Sequence, residues 1–343
     1  MTFQGHGKRK IRRYPYISPR FRCTLCHVTF TASYFSLQYR DRQRDTYEEI
    51  ETLRRKGDSK RGVARFLSHS VDTVNRRIAK MARQDLLRLA LDTQRLSIKE
   101  SIAYDGIENF AFSQYDPNNV NHAIGRESLF VYDFNFCPLN RKGRKTEAQK
   151  KKKDFLEGRH GRYPGRAIEH SSSRIFQRMF ERAPALVLHT DDHYMYRDAL
   201  KRIGIAKRVD HQITSSKKGR NYRNKLFAVN HLDMLTRHHL CDFKRETIAF
   251  AKTTIGMLES FVTYVAHKNY RRPMFTKKQR SDARAHMESP AMRVGLTKRV
   301  LSFREYYGTR ITKEQVRLNE DWLKIFERRD AYSRRAIRVY SGI

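Results

Sequence analysis

Three aspartates, Asp105, Asp191 and Asp233, are the residues of this sequence whose positions best suit chemistry. Asp105 ends a short strand-like stretch, Asp191 directly follows a continuous apolar run typical of a buried strand, and Asp233 lies on a segment with helical spacing. Three carboxylates near one point cannot all stay ionised without compensation, and a divalent cation supplies it. We therefore predict that these aspartates are catalytic residues and ligands of Mg²⁺ or Mn²⁺.

The reaction expected at such a site is attack on a phosphodiester. Two divalent ions would activate a water molecule or a 3′-hydroxyl and stabilise the leaving oxygen of an in-line displacement. For each aspartate the alternative is a helix cap or a surface salt bridge, and that alternative is strongest for Asp233. The sequence contains no glycine-rich phosphate loop of the G-x-x-x-x-G-K-[ST] type, so we predict no nucleotide cofactor.

The overall charge indicates the same class of substrate. The chain has 343 residues with 72 Lys+Arg and 36 Asp+Glu, which gives a net charge of +36. Such a charge favours nucleic acid as the partner, because each phosphate contact releases condensed counterions. Composition alone leaves a nucleic-acid packing protein open as the alternative. No window approaches about 20 apolar residues and residues 1–30 lack a secretion signal, so we expect no membrane partner and a cytoplasmic location.

The pair Cys23 and Cys26 forms a C-x-x-C motif that resembles one half of a zinc ribbon. A structural zinc site needs four ligands, and the preceding residues offer only His6. Two cysteines without metal in a basic turn are therefore the preferred interpretation, with Zn²⁺ as the alternative. Cys137 and Cys241 are expected to be small buried hydrophobic residues.

Residues 46–84 carry the clearest DNA-binding pattern. The spacing predicts a helix over residues 47–56, a break at Gly57, a second helix capped by Ser59 and a third capped by Ser70. The inner faces are predicted to hold Ile50, Leu53, Val63, Phe66, Leu67, Val71, Val74, Ile78 and Met81. The polar face of the third helix would contact DNA through Asn75, Arg76, Arg77, Lys80 and Arg83. An ordinary three-helix bundle with a solvated basic face is the alternative to this helix-turn-helix.

After residue 90 the pattern changes to strands and longer helices. We predict strands over residues 101–106, 126–136, 185–190 and 207–213, a turn over 116–119, and helices over 172–182, 194–203, 224–240 and 314–328. Residues 141–153 are predicted to be a basic loop. Its DNA-binding candidates are Arg141, Lys142, Arg144 and Lys145, and a merely solvated segment is the alternative. The last helix is expected to serve packing or oligomer formation.

The order of these features resembles the DDE-type transposases of bacterial insertion sequences. The most specific stretches are Phe21-Arg-Cys-Thr-Leu-Cys-His-Val-Thr-Phe, Tyr104-Asp-Gly-Ile-Glu-Asn-Phe, Thr190-Asp-Asp-His-Tyr-Met-Tyr and Asn230-His-Leu-Asp-Met-Leu-Thr-Arg, and the resemblance covers about residues 20–275. It implies an α+β multidomain chain in which a helical DNA-binding region precedes an RNase H-like α/β catalytic domain. The corresponding division is a zinc-ribbon-like half knuckle (1–45), a helix-turn-helix (46–90), a catalytic domain (91–275) and a basic helical region (276–343).

The resemblance also implies the activity and the ligand set. A transposase of this kind binds the element ends, cleaves DNA with Mg²⁺ and transfers strands to target DNA, as a homo-oligomer associated with the bacterial nucleoid. The family places a tyrosine about five residues after its second acid, so Asp191 followed by Tyr196 fits better than Asp192. The third ligand is usually Glu in the family, whereas here it is Asp233, with Asn230 and Glu246 as the other candidates. A catalytically inactive DNA-binding regulator derived from such an enzyme is the alternative function.

Overall fold

The computed structural model describes residues 2–10, 17–41, 45–244, 247–274 and 288–329. The chain begins with a small antiparallel sheet of β1 (Phe3–Lys10), β2 (Ile17–Cys23) and β3 (Thr29–Thr31), in the order β1-β2-β3. Its core consists of aromatic rings in mutual contact, from Phe3, Phe21, Phe30 and Phe35. This unit is therefore held together largely by ring contacts, which suits a sheet too small to bury many aliphatic side chains.

Three helices follow in the predicted order: α1 (Tyr47–Arg55), α2 (Lys60–Phe66) and α3 (Val71–Gln94). The predicted caps are confirmed, since Ser59 Oγ accepts the Gly62 N–H at 3.0 Å and Ser70 Oγ accepts the Thr73 N–H at 3.1 Å. The inner faces differ from prediction at two positions. Phe66 and Val71 are exposed, at 74% and 37%, because Phe66 is the last residue of α2 and Val71 the first of α3, whereas the two helices pack through Val63, Val74 and Ile78.

A five-stranded mixed sheet forms the centre of the molecule, and the predicted mixture of α and β structure is confirmed. The strands are β4 (Ile102–Phe110), β5 (Pro117–Gly125), β6 (Val131–Pro138), β7 (Val187–Thr190) and β8 (Asp210–Ile213), in the order β6-β5-β4-β7-β8. β4, β5 and β6 pair antiparallel, whereas β7 pairs parallel to both β4 and β8. The carboxyl ends of β4, β6, β7 and β8 consequently lie at one edge of the sheet.

Three predictions for this region are wrong in detail. The predicted turn over residues 116–119 falls largely within β5, a strand that its three asparagines concealed. β4 continues to Phe110, so Asp105 lies in the middle of the strand and does not end it. Residues 147–153, predicted as part of a basic loop, form the first half of a helix that Thr146 caps with a capping box.

The remaining helices enclose the sheet. They are α4 (Glu147–His160), α5 (Ala167–Arg182), α6 (Tyr194–Arg202), α7 (Phe227–His239), α8 (Thr254–Ala266), α9 (Pro290–Arg293), α10 (Phe303–Tyr306) and α11 (Glu320–Phe326). α5 packs on one face of the sheet, where Tyr104 contacts Phe176. α7 and α8 pack on the other face, where Phe134 contacts Phe261. The predicted helix over residues 314–328 is shorter than expected, and its Trp322 packs on Phe134 as a core residue.

Helices α1, α2 and α3 share one continuous hydrophobic core with the sheet. α3 packs along α8, and buried ion pairs join Arg54 to Asp242 and Glu51 to Arg271. The boundary predicted after residue 90 therefore falls inside α3, while the predicted four-part division stays a prediction. Within the described ranges, no helix is both long enough and apolar enough to cross a membrane.

Candidate active site

Asp105 and Asp191 lie side by side because their strands are parallel neighbours. Ala103 of β4 pairs with His189 of β7, and the same register continued by two residues places Asp105 beside Asp191. β7 ends at Thr190, so Asp191 is the first residue beyond a buried strand, as predicted. Its Oδ1 accepts the His193 N–H at 3.0 Å, which fixes the carboxylate at the start of α6.

Asp233 reaches the same region from α7, which packs across β4 and β5. Leu232 and Leu235 are buried and anchor the helix, whereas Met234 is exposed at 55%. The negative charges of Asp233 and Asp191 both act on Asp105. The structure thus places three carboxylates in one region, although Asp105 and Asp233 are more than 120 residues apart in the sequence.

The positive charge near Asp105 does not balance the effects of burial and of the neighbouring negative charges on its carboxylate. Its Oδ1 accepts the Gly106 N–H at 2.7 Å and the Tyr196 hydroxyl at 3.2 Å. Burial, together with the charges of Asp233 and Asp191, raises the pKa of Asp105 to about 7. A carboxylic acid with such a pKa exchanges its proton readily for a cation near neutral pH.

His122 is a site residue that the sequence analysis missed. It lies on β5 directly opposite Asp105 and is fully buried. Its Nδ1 is 3.1 Å from the Val120 carbonyl oxygen, and its Nε2 is 3.2 Å from Asp233 Oδ1. Both neighbours are hydrogen-bond acceptors, so only the imidazolium presents an N–H to each. Burial alone would lower the pKa of His122, but the charges of Asp233 and Asp105 outweigh it and the pKa is raised.

The contact between His122 and Asp233 leaves acceptor capacity for a further cation. Although the two atoms are 3.2 Å apart, they are not aligned as a hydrogen bond. Asp233 Oδ1 is buried, and among the residues that the structure describes no group hydrogen-bonds to it. A buried carboxylate oxygen without a donor costs free energy, and coordination of a metal ion would remove that cost.

The donor chemistry of the site fits a hard divalent ion. Asp105, Asp191 and Asp233 offer only oxygen atoms, which Mg²⁺ and Mn²⁺ prefer. In the described part of the chain, no three His, Cys, Asp or Glu side chains form a ready-made ligand group. The fit therefore rests on this oxygen-only ligand set, on the raised pKa of Asp105 and on the acceptor capacity that Asp233 Oδ1 keeps beside its ion-pair partner His122.

The other predicted ligands occupy different positions. Asn230 lies on α7 about one turn before Asp233 and is partly buried, so it stays a candidate neutral ligand. Glu246 lies outside the described residues. Asp192 is exposed, and its Oδ2 accepts the Ser216 N–H at 3.4 Å, which lowers the pKa of Asp192.

Neither the scan against family models nor the search of curated proteins finds a match for this chain. What the protein does must therefore be inferred from its residues and their geometry.

The predicted DNA face of α3 is smaller than expected. Arg77 is buried, where it hydrogen-bonds to Thr46 and lies over the ring of Tyr47. Lys80 pairs with Asp41, and the Nε of Arg83 donates to the Phe326 carbonyl at 2.9 Å. Of the five predicted residues, Arg76 is exposed and Asn75 is partly exposed, so these two side chains are accessible to a partner. Burial explains the difference, because a 24-residue helix that enters the core cannot keep one entire face in solvent.

The predicted basic segment lies at the carboxylate edge of the sheet. It leaves the carboxyl end of β6, with Lys142 and Arg144 exposed and Arg141 over the ring of Tyr115 at 4.9 Å. Lys145 donates to the Gly143 carbonyl at 2.7 Å. The helix that follows, α4, has no buried residue and continues the run of lysines. The arrangement therefore presents exposed cations at the edge of the sheet where β6 ends.

Cys23 and Cys26 form a tight turn at the end of β2. The Cys23 N–H donates to the Val28 carbonyl at 2.9 Å, and backbone N–H groups of Cys26 and Leu25 lower the pKa of the Cys23 thiol. Within the described residues, no third His, Cys, Asp or Glu joins them as a metal ligand, so zinc stays a prediction. Cys137 and Cys241 are buried, as predicted.

Proposed function

We propose that the protein is a DNA transposase that cleaves phosphodiester bonds and transfers strands with the help of Mg²⁺ or Mn²⁺. The observation that carries this proposal is that the strand register places Asp105 beside Asp191, while Asp233 of α7 lies 3.2 Å from His122, the residue opposite Asp105 on β5, and the pKa of Asp105 is raised to about 7. Three antiparallel strands extended by two parallel strands also suit the RNase H-like domain that the motifs imply. A structural cluster of acids would be neutralised by arginines, whereas in the described part of the chain the ion-pair partner of this cluster is His122.

The surrounding residues hold the carboxylates in place. Gly106 and Tyr196 donate to Asp105, the His193 N–H holds Asp191, and His122 faces Asp233. Gly106 is required beside Asp105, because a Cβ there would collide with the side chain of Asn119. Bound at the three aspartates, Mg²⁺ would supply Lewis acidity and positive charge for the displacement at phosphorus.

DNA binding in this proposal uses charge close to the site and on α3. Arg76 and Asn75 would contact one DNA region, while Arg141, Lys142, Arg144 and Lys145 would contact the backbone near the cut. The net charge of +36 supports a polyanionic partner. Assembly as a homo-oligomer, a cytoplasmic and nucleoid-associated location, and zinc at Cys23 and Cys26 belong to the same proposal.

The decisive experiment is Mg²⁺-dependent nicking of a labelled duplex that carries the DNA flanking the gene. We expect Asp191→Asn to lower the nicking rate by at least about 1,000-fold, because losing a metal ligand forfeits several kcal/mol of transition-state stabilisation. The matched control is Asp192→Asn, which neutralises the exposed neighbouring carboxylate and should nick at nearly the wild-type rate.

The outcomes separate the two candidate functions. Nicking lost in Asp191→Asn, with binding of the flanking DNA retained, supports the transposase. Specific binding without nicking by the wild type would support the inactive DNA-binding regulator. Equal loss of nicking in Asp191→Asn and Asp192→Asn would contradict the assignment of Asp191.

A further inference from the structure

A basic loop over residues 215–223, which we call the 215–223 loop, adjoins the carboxylate site. It leaves the carboxyl end of β8, which is parallel to β7, so it emerges at the same edge as Asp191. The Thr214 N–H donates to the Thr190 carbonyl at 2.9 Å, and the Ser216 N–H donates to Asp192 Oδ2 at 3.4 Å. The loop is therefore attached to the residues on either side of Asp191.

The backbone of the loop has a defined shape. Asn224 is buried, and its Nδ2 donates to the Gly219 carbonyl at 2.9 Å while its Oδ1 accepts the Leu226 N–H at 2.8 Å. Asn221 Oδ1 accepts the Arg223 N–H at 3.0 Å. These side chains replace the hydrogen bonds that a strand or helix would supply. The loop can therefore present its exposed side chains at fixed positions.

The exposed side chains are four cations and one aromatic ring. Lys217, Lys218, Arg220 and Arg223 are exposed, and residues 214–232 contain no acidic residue. The ring of Tyr222 is 72% exposed. The Nε of Arg223 donates to the Tyr222 hydroxyl at 3.1 Å, which restrains the ring in that position. An exposed aromatic ring beside cations offers a face on which a nucleic-acid base can stack.

We propose that the 215–223 loop holds the DNA strand next to the scissile phosphate. Its cations would bind backbone phosphates, and the ring of Tyr222 would stack on a base that is unpaired at the cleavage site. A base inside an intact duplex is already stacked on both faces, so an exposed ring gains a partner where the helix is open. This inference rests on the proposed function and adds to it a preference for locally opened DNA.

The test measures binding to a full-length variant that cannot cleave, Asp191→Asn. The probes are a labelled duplex with the flanking sequence and the same duplex with two to four unpaired nucleotides at the cut. We expect tighter binding to the opened duplex, and a roughly 10-fold loss of that affinity in Tyr222→Ala. Tyr222→Phe keeps the ring, so it should retain the preference. A 2-aminopurine at the unpaired position should lose fluorescence on binding unless Tyr222 is Ala.

The contribution of the loop's positive charge is tested separately, with a lysine outside the loop as the control. Lys217→Ala with Lys218→Ala should reduce the slope of log K against log salt by about 1.4 to 1.8, since two phosphate contacts are lost. The control is Lys201→Ala, in the last turn of α6, which runs back from the carboxylate edge to the opposite edge of the sheet. Its slope should stay at the wild-type value.

Several results would overturn the inference. Equal binding of the opened duplex by Tyr222→Ala and its parent would do so, as would equal loss in Tyr222→Phe. Stronger competition by single-stranded RNA than by DNA of the same sequence would identify RNA as the partner. A change of oligomeric state in Tyr222→Ala would assign the ring to contacts between copies. Nicking by the wild type is measured independently. If the inference about the loop is wrong, nicking remains, whereas if the proposed function is wrong, nicking is absent.

Discussion

The five-stranded sheet carries a buried acid cluster on one face and a partly buried one on the other, and arginines neutralise the buried cluster. On the α5 face, Asp133 and Asp321 face Arg178 and Arg174, with the Arg178 Nε to Asp133 Oδ2 distance at 2.6 Å and Arg174 Nη2 to Asp321 Oδ1 at 2.7 Å. Burial acts to raise the pKa of Asp321, but hydrogen bonds and charges from the two arginines outweigh it, and the pKa is lowered. Two acids balanced by two arginines form a structural cluster.

On the α7 face, three aspartates are accompanied by one histidine. Asp105 responds with a pKa raised to about 7, and Asp233 Oδ1 is buried without a hydrogen bond in the described structure. The number of acids therefore does not distinguish a functional cluster from a structural one. What distinguishes it is positive charge that the chain does not supply itself.

The largest expected effect on stability comes from breaking the neutralised cluster. Arg178→Met removes the shared partner of Asp133 and Asp321 and should lower the free energy of unfolding by about 3–5 kcal/mol, because a buried charge is left uncompensated. Urea denaturation measures this. Arg159→Met on α4, a helix with no buried residue, is the control and should change little. A loss below about 1 kcal/mol for Arg178→Met would show that the cluster is not balanced as described.

The second effect is a pH dependence of the uncompensated cluster. With the pKa of Asp105 near 7 in the folded chain and near 4 when unfolded, the folded state binds more protons between these values. Stability of the metal-free protein should therefore fall as pH rises from about 4 to 7, by on the order of 3 kcal/mol from this group.

The matched variant is Asp105→Asn, which cannot ionise. It should lose most of this pH dependence and should be more stable than wild type at pH 8. His122 contributes in the same direction, since its pKa is also raised, so a small dependence should remain. A wild type whose stability rises with pH over this window would contradict the assignment.

The third effect is stabilisation by metal. Mg²⁺ at 100 times its Kd should raise the free energy of unfolding by about 2.7 kcal/mol at pH 8, seen as a higher Tm. Asp105→Asn and Asp233→Asn should show little of this shift, while Asp321→Asn, altered in the other cluster, should keep it. An equal Mg²⁺ response in all variants would indicate binding away from the three aspartates.

The smallest expected effect concerns two neighbouring arginines of α3, of which Arg77 is buried and Arg76 is exposed. Arg76→Ala should leave Tm unchanged and reduce the salt slope of DNA binding by about 0.9, the value for one phosphate contact. Arg77→Ala should instead lower Tm, because Arg77 is buried against Thr46 and Tyr47. The reverse pattern would show that Arg77 is the DNA contact.

Much of the frame was predictable from local pattern. The caps at Ser59 and Ser70, the buried strand before Asp191 and the helix after it depend on neighbouring residues alone. The position of Asp191 was also predictable, because the apolar run that ends on this carboxylate is visible in the sequence, whereas the middle of β4 was not predicted for Asp105.

Other features depend on partners distant in the chain. β5 is a buried strand although it carries Asn118, Asn119, Asn121 and His122, since its polar groups find partners such as Ser171 and Asn135 that only the fold supplies. His122 was missed for the same reason. Nothing in the local sequence shows that Arg77 turns inward to Thr46. The helix over residues 147–153, in contrast, has a local signal that was overlooked, the capping box of Thr146 and Gln149.

The continuous core has a consequence for how a cut would be placed. α3 has 24 residues and so is about 36 Å long, and its second half is embedded against α8. Within one subunit, the DNA sequence contacted by the exposed start of α3 and the phosphodiester bond at Asp191 would therefore lie at a constant distance from each other. Under the proposed function, α3 would fix the distance between recognition and cleavage, and the cut would lie a set number of base pairs from the recognised sequence and move with it.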